Sequence, residues 1–213
     1  MMQQLRRAEE RVVPHEKFDI SKLERLNDES RFEYLDPEIM WAAAARPDAR
    51  TIVEIGAGTG MFAFRFAELA PQATIYAADV APVMVRWMFQ HRPAAFSSRV
   101  HPLLAEETKI PLATGEADLA MMINVHHELA DARASYLEVL RLLKIGGTLL
   151  VADWRAGDTE SGPPQAVRSS AEQISQILSA VGFCDIVSHD TLPRHSLITA
   201  RKAAVCGTGL ATK

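Results

Sequence analysis

The stretch EIGAGTG (54–60) closes the apolar run TIV (51–53) and opens directly into MFAFRFAELA (61–70). A strand-like run, a glycine loop and a helical pattern, in that order, bring bare backbone close to a ligand. The dinucleotide fingerprint needs glycine at its first, third and sixth positions. Gly56 and Gly58 fill two of them, but Met61 stands at the sixth, and the third glycine is Gly60. The phosphate-loop pattern GxxxxGK[ST] is absent as well. Glu54, just ahead of the first glycine, sits badly beside a diphosphate and suits a cationic group such as an amino-acid ammonium. Asp79 ends the next strand-like run, TIYAAD (74–79), at the distance where an acid accepts from ribose hydroxyls. Glu54, Gly56, Ala57, Gly58, Gly60 and Asp79 therefore describe a ligand with a ribose, a cationic amino-acid part and no phosphate. S-adenosylmethionine is such a ligand.

Strand-like and helical runs alternate outward from this loop. After 51–55 and a helix over 60–70 come 74–79 and a helix over 81–91. Then follow VHPLLA (100–105), ADLAMMINV (117–125) with a helix over 131–143, and GTLLVAD (147–153) with a helix over 168–181. FCDIVSHD (183–190) and SLITARK (196–202) are close enough in sequence to form an antiparallel pair. The first five runs are apolar on both faces, as parallel strands between helices must be. The expected fold is α/β: a doubly wound, seven-stranded, mostly parallel sheet with an antiparallel last strand. Residues 1–45 read as an N-terminal helical extension or lid, 46–203 as the ligand-binding domain and 204–213 as a frayed tail. Asp36-Pro37 is a helix start, and Arg46-Pro47 stops that helix.

With 213 residues, about half of them apolar, the chain has enough apolar material for one core. A net charge of −4 and no run of Lys or Arg speak against a nucleic-acid partner. The two cysteines, Cys184 and Cys206, form no CxxC and no metal pattern, which fits a reducing cytoplasm. The N-terminus is too polar for a signal peptide, no stretch reaches the ~18 apolar residues of a membrane span, and no metal is expected.

Five segments in order resemble class I S-adenosylmethionine-dependent methyltransferases: VEIGAGTGMF (53–62), IYAADVAPVMV (75–85), LLAEETKIPL (103–112), ADLAMMINVHHEL (117–129) and LRLLKIGGTLLVADW (140–154). HEKFDISKLERLNDESRFEYLDPE (15–38) and ADWRAGDTESGPPQAVR (152–168) are similar to an uncharacterised branch of small bacterial and archaeal members. That branch has an HKFD-type N-terminus and a DW…GPP…R segment. The resemblance implies a Rossmann-like methyltransferase fold. It places Glu54 and the glycine loop at the methionine part, Asp79 at the ribose, and Val80 and Met84 near adenine. Glu106, with Glu107 as its neighbour, falls at the adenine amine, and Asn124 beside the sulfonium. The implied reaction is in-line methyl transfer to a small molecule, leaving S-adenosylhomocysteine.

The acceptor side is less determined. His126 or His127 titrates near neutrality and fits a general base, or else ties its loop to neighbouring backbone. Asp153, Trp154 and Arg155, with Arg168, fit a substrate wall; a strand-end ion pair is the plainer reading. Ser161-Gly162-Pro163-Pro164 fits a wall of the same site, and His15, Phe18 and Tyr34 a lid. A homodimer is allowed. A non-catalytic S-adenosylmethionine-binding module stays open, as does an NAD-dependent oxidoreductase, which Glu54 and Met61 oppose. A nucleic-acid or protein methyltransferase is disfavoured, because NVHH (124–127) stands where an NPPY-like tetrapeptide would be.

Overall fold

The computed structural model describes Leu23, residues 25–157 and residues 162–204. The expectations for residues 1–19, Ser161 and the extreme C-terminus lie outside them. One sheet carries seven strands: β1 (Thr51–Ile55), β2 (Thr74–Asp79), β3 (Val100–Leu104), β4 (Ala117–Ile123), β5 (Leu143–Trp154), β6 (Cys184–His189) and β7 (His195–Arg201). Their order is β3-β2-β1-β4-β5-β7-β6. Strands β1 to β5 pair in parallel. Strand β7 runs antiparallel between β5 and β6. The doubly wound, mostly parallel sheet expected from the alternating runs is what forms. Its order reverses between β1 and β4, so the crevice opens over their carboxyl ends.

The helices α1 (Pro37–Ala44), α2 (Met61–Leu69), α3 (Pro82–His91), α4 (Ala132–Leu142) and α5 (Ala171–Val181) cover the two faces. Met40 of α1, Phe62 and Phe66 of α2, and Met88 of α3 pack on one face with Ile52, Met121 and Leu150. Tyr136 and Val139 of α4, with Ile174 and Leu178 of α5, pack on the other against Val53, Met122 and Val151. Central β4 is buried along its whole length, which explains its unbroken apolar sequence.

Local chemistry sets the element ends. Asp36 caps α1 by accepting from the Glu38 and Ile39 N–H groups, with Pro37 at the first helical position. Helix α5 starts at Ala171, not at Arg168, because Ser170 and Gln173 form a capping box that fixes the first turn. Strand β5 starts at Leu143, earlier than expected. A Cβ on Gly147 would lie 2.9 Å from the Lys144 carbonyl oxygen and 3.1 Å from that of Ala117. Gly147, where the strand was expected to begin, thus lets it run close to β4. Among the described residues, no helix is long and apolar enough to cross a membrane.

One buried acid belongs to the opposite end of the sheet. Asp118, in β4, accepts from the Arg50 and Thr51 N–H groups, each at 2.9 Å, and from Lys144 Nζ at 2.8 Å. It pins the strand starts together, away from the crevice.

Candidate functional site

The EIGAGTG loop turns from β1 into α2 with Gly56, Gly58 and Gly60 all in the left-handed region, at φ +69°, +56° and +82°. Gly56 carries the strictest demand: a Cβ there would lie 2.5 Å from Val125 Cγ2, behind the loop after β4. Left-handed backbone costs an L-residue roughly 1–2 kcal/mol. Gly56→Ala is therefore expected to lower stability by at least about that much and to weaken ligand binding, read by denaturant unfolding and calorimetry. The loop N–H groups have defined partners. Gly60 N–H donates to the Ala57 carbonyl at 2.9 Å, and Ala57 N–H to that of Ala78 at 3.0 Å.

Asp79 organises the crossing. Its Oδ2 accepts from Gly58 N–H at 2.7 Å and its Oδ1 from Ala81 N–H at 2.8 Å. Burial pushes its carboxyl above the usual range, against the lowering effect of those two bonds. Each oxygen keeps a lone pair for a further donor.

A cavity of about 430 Å³ opens over the loop, within the range of small-molecule sites. Glu54, Gly56, Ala57, Gly58, Asp79, Val80, Met84, Glu106, Glu107 and Asn124 line it. Gly60 does not; it forms the N-cap of α2, and a Cβ there would press on Met88. Glu106 and Glu107 differ in how they are engaged. Glu107 Oε1 accepts from the Ala130 and Asp131 N–H groups at 2.8 and 3.2 Å, whereas no hydrogen bond occupies the Glu106 carboxylate among the described residues.

Two lining atoms are buried without a hydrogen-bond partner among the described residues: Glu54 Oε2 and Asn124 Oδ1. Asn124 is also held at φ +58°, a conformation a non-glycine residue seldom adopts. Burial raises the Glu54 carboxyl to about 8, opposed by the Arg31 charge and the Ala63 N–H, and assisted by Asp79. Two orphaned acceptors at the ends of β1 and β4 suit a ligand that brings a positive charge and N–H donors. Asp79, beside them, suits hydroxyl donors. A Cβ-free cradle at Gly56 leaves room for it. These features fit S-adenosylmethionine.

Thr59, within the glycine loop, lines the cavity too, as do Arg25, Leu26 and Arg31, which sequence reasoning missed. Arg31 lies over the Phe62 ring, 5.1 Å from its centroid. Nothing in the spacing of ERLNDESRFEY (24–34) marks it out, because its role comes from the extension folding over α2.

The acceptor-side candidates lie outside the cavity wall and divide between the sheet faces. His126 is buried, and its Nδ1 meets the Tyr136 hydroxyl at 2.8 Å; burial lowers its pKa. His127 meets different partners, with Nδ1 2.8 Å from Asp153 Oδ1 and Nε2 3.7 Å from Glu128 Oε1. Burial alone would lower its pKa, but the bond and charge of Asp153, with Glu128, raise it. Glu128 is itself part of the cavity wall. Trp154 packs against His195, with centroids 4.3 Å apart, and Tyr34 stacks on His195 at 5.6 Å. Arg168 lies over Trp154 at 5.5 Å. Arg155 turns away, donating to the His195 and Leu192 carbonyls and to Asp190. His195 has both ring nitrogens buried without a partner among the described residues, and burial pushes it down to about 3. No cluster of three or more metal-ligating side chains occurs among the described residues.

A family model described as a methyltransferase domain matches residues 47–201. The chain belongs to this methyltransferase family. It is 27% identical to an S-adenosylmethionine-dependent methyltransferase from Aquifex aeolicus, whose crystal structure superposes with a TM-score of 0.79. That alignment covers 86% of this chain and 98% of the other. The class I S-adenosylmethionine-dependent assignment and its cofactor follow. Human N-acetylserotonin methyltransferase in complex with SAM shares the fold, at 22% identity and a TM-score of 0.66 over 79% of this chain and 52% of that one. A malonyl-[acyl-carrier protein] O-methyltransferase from Legionella pneumophila is 28% identical over 151 residues, 66% of this methyltransferase and 50% of the relative. The one from Hahella chejuensis is 28% identical over 99 residues, 46% and 34% of the two chains. The chain thus spans half or less of the length of these curated relatives.

Proposed function

We propose that this chain methylates a small-molecule acceptor, with Glu54, Gly56, Asp79 and Asn124 holding the cofactor and His127 receiving the acceptor's proton. The observation that carries the base assignment is the 2.8 Å contact between His127 Nδ1 and Asp153 Oδ1. A carboxylate oxygen accepts this bond, so Nδ1 carries the hydrogen, and the neutral form of the imidazole then has its lone pair at Nε2. Asp153 is buried and also accepts from Trp154 N–H at 2.8 Å, which fixes the carboxylate and, through it, the imidazole. Nε2 points toward Glu128 on the cavity wall.

When bound, S-adenosylmethionine supplies an electrophilic methyl carbon on a positively charged sulfur. The rest falls to the chain. Glu54 holds the ammonium, Asp79 the ribose hydroxyls and Glu106 the adenine amine, while Met84 and Val80 flank the ring. Fixing donor and acceptor in line can account for up to ~7–11 kcal/mol of barrier lowering. The names of the curated relatives specify a carrier-bound malonyl acceptor, so a carrier-attached acid is the competing reading of the acceptor. Methylation of the carrier-bound form alone, with free small molecules inert, would decide for it.

His127→Ala is expected to keep S-adenosylmethionine affinity and lose about 10²–10⁴-fold in turnover. Asp153→Asn should lose turnover in the same direction. His126→Ala should act mainly on stability, through the buried Tyr136 hydroxyl it abandons. Wild-type turnover in His127→Ala with every acceptor the enzyme accepts would remove the base from the mechanism.

A further inference from the structure

We infer that the ion pair between Glu138 and Arg141, on helix α4, sets the selectivity for adenine in the cofactor by fixing the backbone that carries Glu106. The inference rests on the methyl-transfer reading above and deepens its adenine contact. Neither Glu138 nor Arg141 lines the cavity, so both are positioning residues. The connection from β3 to β4 contains no helix, and its first part, with Glu106 and Ile110, forms cavity wall. Glu106 and Lys109 exchange backbone hydrogen bonds. Glu106 N–H donates to the Lys109 carbonyl at 3.0 Å, and Lys109 N–H to the Glu106 carbonyl at 3.2 Å. This tight turn leads straight into Ile110. Where Glu106 stands therefore depends on where Ile110 is held.

Helix α4 holds Ile110 by both of its backbone polar groups. The Ile110 N–H donates to Glu138 Oε1 at 2.7 Å, and the Ile110 carbonyl accepts from Arg141 Nη2 at 3.1 Å. Pro111, which follows, has no N–H to offer. The two side chains brace each other. Arg141 Nε donates to Glu138 Oε2 and Arg141 Nη2 to Glu138 Oε1, each at 2.7 Å. Arg141 Nη1 reaches the Leu112 carbonyl at 3.0 Å and the Thr114 hydroxyl at 3.2 Å. Each guanidinium N–H thus has an acceptor, and Ile110, Leu112 and Thr114 of the β3–β4 connection supply three of them. Glu138 is buried, where such bonds are strengthened by the low local dielectric. A lysine ammonium has three donors and no fork, so it cannot serve the same set. The link to selectivity runs through Glu106. A carboxylate that must meet an exocyclic amine and turn away a carbonyl discriminates only when its place is fixed. The turn from Glu106 to Ile110 is what the ion pair fixes.

Calorimetry with S-adenosylhomocysteine and S-inosylhomocysteine, which carry an amine and a carbonyl at the same ring position, reads this selectivity as a ratio of affinities. The wild type is expected to prefer the adenine form by at least about tenfold. Arg141→Lys, at a partly exposed position, keeps the charge and loses the fork. It should cut the ratio by about three- to tenfold. Glu138→Gln should cut it in the same direction. In a Glu106→Gln background the same substitutions should change the ratio by less than about twofold, because the group they position is gone. A loss of stability alone weakens both compounds equally and leaves the ratio unmoved. A wild-type ratio in folded Arg141→Lys would overturn the inference. So would an equal drop with and without Glu106, since the pair would then act on the base by another route. A wild type that binds both compounds equally well would overturn it too, with the methyl-transfer reading intact. Failure of the wild type to bind either compound would instead sink that reading.

Discussion

Asp79→Ala is expected to weaken S-adenosylmethionine binding by roughly tenfold to a few hundredfold, from ~1.5–3 kcal/mol per lost charge-assisted bond. Two losses combine. The ribose hydroxyls lose an ionised acceptor, and the glycine loop loses the strut that holds Gly58 N–H at 2.7 Å. Asp79→Asn should be little better. Both oxygens already accept from backbone N–H groups, so the amide must turn its NH₂ toward one of those donors. Stability should respond less than affinity, because the substitution also removes an acid whose pKa burial has raised. Calorimetry and denaturant unfolding on the same sample separate the two effects. A folded Asp79→Ala protein with wild-type affinity would remove Asp79 from the ribose.

Why Asp79 could be found without a structure, while Arg31 could not, is a matter of range. A strand, a glycine loop, a helix and an acid at the next strand end form one local unit, and its geometry follows from the sheet alone. The start of α1 was equally legible, since Asp36-Pro37 carries its capping chemistry within a few residues. Arg25 and Arg31 reach the cavity only because the extension folds across α2, a contact that no periodicity encodes. The adjacent pair His126 and His127 shows the same limit at one position. Their side chains diverge, one toward Tyr136 on α4 and the other toward Asp153 on β5, and only the packing of both elements decides which is buried. The grouping of Asp153, Trp154 and Arg155 as one wall met strand alternation. Trp154 joins His195 and Tyr34, Asp153 joins His127, and Arg155 ties the strand end to the β6–β7 turn. Glu106 and Glu107 looked interchangeable in sequence. The Ala130 and Asp131 N–H groups engage one of them and leave the other to the cavity.

The protonation of Glu54 should make cofactor affinity depend steeply on pH. Its carboxyl stands at about 8 in the folded protein against an ordinary 4.5, because it is buried; Asp79 adds to the rise, and Arg31 and the Ala63 N–H oppose it. Between those two values the unfolded chain has lost this proton and the folded chain still holds it. The unfolded state binds fewer protons there, so the contribution of Glu54 to stability falls as pH rises from about 4.5 to about 8. Affinity has the opposite slope. An ammonium binds the ionised carboxylate, so binding below pH 8 expels one proton and strengthens by up to about tenfold per pH unit. Above about 7.7–8.0 the ligand's own α-amino group loses its charge, and the gain ends. Affinity should therefore peak near pH 8. Calorimetry at pH 6.5 in buffers of different ionisation enthalpy should report release of close to one proton in the wild type and much less in Glu54→Gln. The same variant should bind about ten- to a hundredfold more weakly at pH 8, from the ~1.5–3 kcal/mol of a charge-assisted bond. Without ligand it should unfold later than the wild type at that pH, because no buried carboxylate needs to ionise. Affinity that stays flat from pH 6 to 8, with no proton released, would mean that Glu54 does not face the ammonium.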